Sequence, residues 1–299
     1  MTAPVRPAPN AAALLAFRAT VLERGRELYR DLPWRRTRDP YAIWISEVML
    51  QQTQTSRVDG RWQRWLERFP DVRALAAADP ADVLDEWQGL GYNRRALALH
   101  RAAQAVAAAG GALPSDEAAL TALPGIGPAT AAGIRAFAFD LPAVYLETNV
   151  RSVLLHELFP DEEGVSDRAL APILRATCPP GEDDPAHDPA DDPRAWYYAL
   201  LDYGAYLKRT VPNPSRRSRT HARQSRFEGS HRQLRAELLR VLLARGRDGG
   251  ATADELEPAL AEALVACGRE PIAREELFAL LGELEREGFC RSSNGRWAV

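Results

Sequence analysis

At 299 residues the chain is long enough for one large domain or two, each with an ample core. A net charge of −3, from 38 Lys and Arg against 41 Asp and Glu, excludes a generally sticky polycation, so nucleic-acid contacts must come from local patches. Three scattered cysteines, Cys178, Cys267 and Cys290, do not make a disulfide framework. No apolar run approaches the roughly 20 residues that span a bilayer, and no basic-plus-apolar leader opens the sequence, so a soluble cytoplasmic protein is expected.

Residues 1–10 read as a disordered tail. A helix is expected from Ala11 to about Arg30, before the break at Pro33-Trp-Arg-Arg36. A second is expected from Pro40 to Thr55, with Ile43, Val48 and Leu50 in the core and Glu47, Gln51, Gln52 and Gln54 as polar positions on a strongly apolar segment. Glu47 lies between Ile45 and Met49. Desolvation there raises a carboxyl pKa and lets it carry a proton near neutrality, as a general acid must; a surface glutamate on an amphipathic helix is the competing reading. Residues 61–109 are patterned as helices, broken by the glycine turn Gly89–Ala96, where Tyr92, Arg94 and Arg95 either face a groove or cap a helix.

Leu123-Pro-Gly-Ile-Gly-Pro128 reads as a tight turn leading into a helix. Gly125 and Gly127 permit backbone angles closed to other residues, and Pro128 suits a first helical turn. The free N–H groups and dipole of such a helix start form an anion site, with nucleic-acid phosphate as the candidate anion and a plain helical hairpin as the alternative. Glu147 follows the apolar run Ala143–Leu146 and precedes Val150, Val153, Leu154 and Leu158 on one helical face. It is placed at a helix start, where the dipole and Thr148 or Asn149 keep it ionised; a capping role is the alternative.

Cys178–Pro193 is acidic, proline-rich and aperiodic, and is expected as a mobile insertion facing away from DNA, with His187 among its acids. A helix follows over 194–208. Residues 208–229 form a basic run, with Lys208, Arg209, Arg216, Arg217, Arg219, Arg223 and Arg226 against Glu228, suited to phosphate contacts or to a solvated linker. Three helices over 231–243, 252–265 and 273–286, then two short strands around Asn294-Gly295, resemble a winged helix in a domain spanning 230–299.

Leu32-Pro-Trp-Arg35, Ser46-Glu-Val-Met-Leu-Gln-Gln-Thr-Gln54, Gly89-Leu-Gly-Tyr92, Leu123-Pro-Gly-Ile-Gly127 and the acidic Asn-Val motif at 147–150 together resemble the helix–hairpin–helix DNA glycosylases, nearest the MutY type, over residues 11–210. The resemblance implies an all-α, two-lobed fold with the site between lobes; the small winged-helix-like α+β domain at 230–299, read from its own pattern, is appended to it and does not resemble the family's larger C-terminal domain. It implies Glu47 as the acid that protonates a flipped adenine, Glu147 as the carboxylate beside the anomeric carbon, where Asp is usual, and Asn149 as its neighbour. Gln51 and Gln52 fall at the wedge, Tyr92 and Arg94 at a DNA-facing turn, and the backbone of Gly125 and Gly127 at a phosphate grip that often uses a monovalent cation.

Beside Glu147 in place of Asp, two further departures shape the reading. Ala129 stands where the lyase branch has its nucleophilic Lys, which favours a monofunctional enzyme. No cysteine lies between Cys178 and Cys267, where the family's iron–sulfur loop belongs, so no 4Fe-4S cluster is expected, and 208–229 takes that loop's place with Lys208, Arg216, Arg217 and Arg219 on DNA. The expected function is base-excision repair as a monomer: hydrolysis of adenine opposite guanine or 8-oxoguanine in double-stranded DNA. Excision of uracil, thymine or an oxidised pyrimidine, and a weakly catalytic DNA-structure binder, are the alternatives.

Overall fold

The computed structural model describes residues 9–181, 184–186, 188, 191–221, 226–246 and 249–299; the tail at 1–8, His187 and Arg223 lie outside the described residues. In chain order the elements are α1 (Ala11–Glu27), a 3-10 turn (Pro33–Arg36), α2 (Pro40–Leu50), α3 (Thr55–Val58), α4 (Arg61–Arg68), α5 (Val72–Ala77), α6 (Pro80–Glu86), α7 (Arg94–Ala108), α8 (Glu117–Thr121), α9 (Pro128–Ala138), α10 (Thr148–Leu158), α11 (Asp167–Thr177) and α12 (Pro193–Thr210). A second 3-10 turn (Pro214–Arg217) precedes α13 (His231–Arg245), β1 (Ala251–Thr252), α14 (Ala253–Ala266), α15 (Arg274–Arg286), β2 (Arg291–Ser293) and β3 (Arg296–Ala298). The fold is thus helical with a small C-terminal sheet. It forms two compact units, Met1–Gln51 with Leu113–Arg223 and Gln52–Ala112 with Gln224–Val299.

In the first unit α12 packs on α10 and α1, and carries the buried Trp196, Tyr197 and Leu200. α1 starts at Asn10, whose side chain accepts from Ala13 N at 2.9 Å, so the expected tail is ordered at its last residue. α1 also stops earlier than expected, at Glu27. It approaches α12 where Gly25 has no side chain, since a Cβ there would lie 2.8 Å from Ala199 Cα. α2 is started by Pro40 and by Asp39, which accepts from Tyr41 N at 3.3 Å and Ala42 N at 3.0 Å. Every residue from Tyr41 to Met49 is buried, the signature of a helix covered on all sides.

That helix does not run to Thr55. It ends at Leu50, because Gln51 turns to ψ 112° and Gln52 takes a left-handed φ of 53°. Glycine and proline are both missing from the stop, so periodicity alone extends the helix past it. Arg35 in the first 3-10 turn and Asp202 on α12 form a bidentate pair at 2.7 and 2.8 Å, with both side chains almost fully buried. Arg30 Nε joins the same carboxylate at 2.6 Å. The acidic stretch 178–193 is anchored at its ends. Asp192 caps α12 through Ala195 N at 2.5 Å, Asp191 pairs with Arg18, and Gly181 is buried against the Asp140 carbonyl.

In the second unit Trp65 meets Phe69 and Trp87 edge-on at 5.0 and 5.6 Å. The turn before α7 uses left-handed Gly89 (φ 81°), Gly91 (φ 74°) and Tyr92 (φ 50°). Arg95 closes it by donating to the Leu90 and Gly91 carbonyls at 3.2 and 3.0 Å. The C-terminal helices pack with an antiparallel sheet of order β1-β3-β2, whose tight turn is Asn294-Gly295. Strand β1 was not expected. Two residues are too few for an alternating pattern, and pairing with Arg296 and Trp297 is what makes them a strand.

Breaking the Arg35–Asp202 pair leaves a buried guanidinium uncompensated. Asp202→Ala is therefore expected to cost about 3–5 kcal/mol of unfolding free energy in urea titrations. A change below about 1 kcal/mol contradicts a structural role for the pair.

Candidate active site

The hairpin joins α8 to α9. Asp116 caps α8 by accepting from Ala119 N at 2.9 Å, and Ile126 N closes the turn on the Leu123 carbonyl at 3.2 Å. Gly125 is left-handed (φ 77°), as expected, but Gly127 is not: at φ −87° and ψ 173° it has extended backbone open to any residue. A Cβ on Gly127 would meet nothing within 4 Å, so what its glycine contributes is bare backbone at the start of α9.

Further along α9, Gly133 opens space for an acid. A Cβ there would lie 2.9 Å from Glu47 Cδ and closer still to Oε2. Glu47 comes from the middle of α2, is 8% exposed, and accepts through Oε2 from the Tyr145 hydroxyl at 3.0 Å. Burial pushes its pKa up to about 8, opposed by the Tyr145 hydrogen bond, reinforced by the charge of Glu147 and opposed again by Arg35. Glu47 is therefore protonated at neutral pH, and the expectation of a dehydrated carboxyl is met.

Glu147 is the N-cap of α10. Its Oε1 accepts from Asn149 N at 2.5 Å and Val150 N at 3.0 Å, and its Oε2 faces Asn149 Nδ2 at 3.4 Å. Burial raises its pKa, while the two backbone donors, Lys208 and Arg151 lower it. Capping and a charged role are thus not alternatives, because the cap supplies the donors that favour the anion. The net shift of Glu147 is upward, because burial outweighs these donors and cations; the cap is what favours its anion, whereas Glu47 has no backbone donor of that kind among the described residues.

Asn149 is held from both sides. Its Nδ2 faces Glu147, and its Oδ1 accepts from Lys208 Nζ on α12 at 3.2 Å. Tyr145 belongs to the site but reads in sequence only as one member of an apolar run. The available signal was a phenol two residues before the carboxylate. Its ring is wedged edge-on against Phe137 and Tyr197 at 5.3 and 5.5 Å.

The remaining candidates scatter. Gln51 Nε2 donates to Thr130 Oγ1 at 2.9 Å, tying the end of α2 to α9, and Gln52 is exposed in its left-handed conformation. Tyr92, 42% exposed, accepts from Arg232 at 3.2 Å, and Arg94 is paired with Glu287 at 2.6 Å. Arg217 donates to the Leu155, Phe159 and Pro160 carbonyls and so caps the C-terminus of α10. Arg216 and Arg219 are exposed. Pro214, Ser215 and Ser218 are buried, and residue 219 donates its backbone N–H to Val165 at 2.9 Å. This segment offers no thiolate, so a four-cysteine iron–sulfur cluster does not fit its donor set.

The family described as HhH-GPD superfamily base excision DNA repair protein matches residues 45–180. Adenine DNA glycosylase of Mycolicibacterium smegmatis is 35% identical over 230 residues, covering 71% of this chain and 75% of that protein. Adenine DNA glycosylase of Homo sapiens is 37% identical over 155 residues, 48% of this chain and 28% of the human one; that of Mycobacterium tuberculosis H37Rv is 43% identical over 128 residues, 42% of each chain. The match thus spans less than half the length of these two relatives. Among solved structures, a thermostable thymine-DNA glycosylase aligns with TM-score 0.55 and 25% identity, over 65% of this chain and 87% of that one. An endonuclease III trapped on DNA aligns with TM-score 0.53 over 75% and 93%, at 16% identity, a likeness of fold alone.

Protonation of Glu47 has a thermodynamic signature. Its folded pKa, about 8, lies above the ordinary 4.5, so between these values the folded state keeps a proton that the unfolded state loses. Its contribution to stability is full at low pH and is lost as pH rises through that window. Glu47→Gln abolishes the loss, and is expected to gain roughly 1–4 kcal/mol on wild type between pH 4.5 and 8.5 in urea titrations. Parallel pH profiles would mean that the carboxyl is solvated.

Proposed function

The chain belongs to the HhH-GPD superfamily of base excision DNA repair proteins, and from that premise we propose that it is a monofunctional adenine DNA glycosylase acting on adenine opposite guanine or 8-oxoguanine. The observation that carries this reading is the carboxyl pair, a buried Glu47 whose pKa is pushed up to about 8 and a Glu147 whose Oε1 accepts two backbone N–H groups at a helix start. Hydrolysis of an N-glycosidic bond needs both. The base leaves as a neutral molecule only if a ring nitrogen is protonated, and the sugar develops cationic character that an anion stabilises.

Glu47 donates its proton to the base while the bond between base nitrogen and C1′ breaks. The Glu147 carboxylate faces the charge that develops at C1′. Water then adds to C1′ and releases a proton, which restores Glu47 to its acid form. One oxygen of Glu147 is committed to the α10 cap, where it accepts from Asn149 N and Val150 N. The other oxygen takes the Asn149 amide at 3.4 Å and has lone-pair capacity left for the sugar.

The partner is double-stranded DNA, from which the nucleotide must be flipped at a cost of a few kcal/mol. Gln52, exposed and in a left-handed conformation at the end of the buried α2, suits the wedge that offsets this cost. The bare backbone at Gly125 and Gly127 suits a phosphate, aided by a monovalent cation. With Ala129 at the start of α9 no lysine amine stands at that position, in keeping with hydrolysis without strand cleavage. The likeness to a thymine-DNA glycosylase makes thymine opposite guanine the second substrate to test.

Single-turnover base release from duplexes with adenine opposite guanine or 8-oxoguanine, and thymine or uracil opposite guanine, tests the reading. Release of adenine is expected, with a rate that falls above about pH 8 as Glu47 loses its proton. Glu47→Gln and Glu147→Gln are each expected to lower it by at least about 10²-fold. Release of thymine instead keeps the chemistry and changes the base, whereas binding without any release sinks the enzymatic reading.

A further inference from the structure

Lys208 opens the basic run 208–229 and looks, by sequence, like its first phosphate contact. Its ammonium is instead turned onto Asn149 Oδ1 at 3.2 Å. An ammonium can only donate and an ionised carboxylate can only accept. Between Lys208 and Glu147 the Asn149 amide therefore has a single orientation, oxygen toward Lys208 and Nδ2 toward Glu147 Oε2 at 3.4 Å. The three side chains form a directed line from α12 to the carboxylate.

The approach of α12 is itself built in. Gly204, one helical turn before Lys208, packs against the backbone of Asn149, where a Cβ would lie 2.6 Å from its carbonyl carbon and closer still to its oxygen. Only a residue without a side chain lets α12 come near enough for a lysine four positions on to reach the amide oxygen. The contact thus rests on a close helix–helix approach as well as on a flexible side chain.

We propose that Lys208 is a positioning residue for base excision, orienting Asn149 and through it the Glu147 carboxylate, rather than a contact to the DNA backbone. The inference rests on the glycosylase reading for its role in the reaction, but the link between Lys208 and Glu147 exists without substrate. A positive charge here also favours the anionic form of Glu147. Its removal therefore acts on the acid side of the pH profile, opposite to the limb set by Glu47.

The test uses the full chain and a duplex with adenine opposite 8-oxoguanine. Lys208→Met is expected to lower the saturating single-turnover rate about 10–100-fold and to move the acid limb to higher pH, with partial recovery in Lys208→Arg. Binding of the same duplex, compared in a Glu47→Gln background, is expected to keep its salt slope. An unchanged rate and acid limb, with a salt slope reduced by about 0.9, would make Lys208 a phosphate contact and overturn the proposal. A carboxyl-carbon NMR titration of Glu147 without DNA reads the same link: its midpoint rises in Lys208→Met if the proposal holds, and an unmoved midpoint overturns it. If wild type releases no base while that midpoint moves, the glycosylase reading fails and the Lys208 link stands.

Discussion

A carboxyl group held in the middle of a fully buried helix is the constraint around which the first unit is arranged. Every residue of α2 from Tyr41 to Met49 is buried, and Glu47 with them, so its carboxyl is largely cut off from water. A charge there is costly, and the molecule responds by keeping the proton. Two neighbours make this tolerable without making the group inert. Gly133 vacates the volume the carboxyl needs, and the Tyr145 hydroxyl hydrogen-bonds one of its oxygens. A proton held in this way at neutral pH is available for donation, which a solvated glutamate cannot offer.

α12 is the second organiser. Along one helix it receives Gly25 of α1 at Ala199, anchors Arg35 through Asp202, brings Gly204 onto the backbone of Asn149, and ends with Lys208 on the Asn149 amide. Arg35, fixed by Asp202, is also the cation that tempers the rise in the Glu47 pKa. The fold and the acid–base pair are therefore coupled through α12. A change that shifts this helix alters both carboxyls at once, one through Arg35 and the other through Lys208.

Arginine is used here more for internal closure than composition suggests. Arg217 caps α10, Arg95 closes the turn before α7, and Arg94 and Arg235 share Glu287 in the second unit. The guanidinium fork can satisfy several carbonyls or a carboxylate at once, and that suits turn closure as well as phosphate recognition. Density of basic residues in 208–229 therefore does not sort those that meet DNA from those that hold the chain. Arg216, Arg219 and Lys208 are all exposed, but Lys208 donates to Asn149 and the half-buried Arg217 closes the end of α10.

The sequence by itself determined the helical class, the order of most elements, the hairpin at 123–127, the acid in an apolar helix and the carboxylate at a helix start. Each is a local matter of period, turn chemistry or capping, and so is legible in a short window. The tertiary structure alone decided where α2 stops, because left-handed Gln52 carries no breaker residue, and that β1 exists, because its two residues need β3 to pair with. It also brought Tyr145 and Gly133 against Glu47 and Lys208 against Asn149. Gly133 and Glu47 are far apart in the chain, as are Lys208 and Asn149, and contacts of that kind leave no mark on either local pattern. The pKa of Glu47 could be foreseen in direction from its neighbours in sequence, but its extent came from packing, because desolvation depends on what covers a residue from every side.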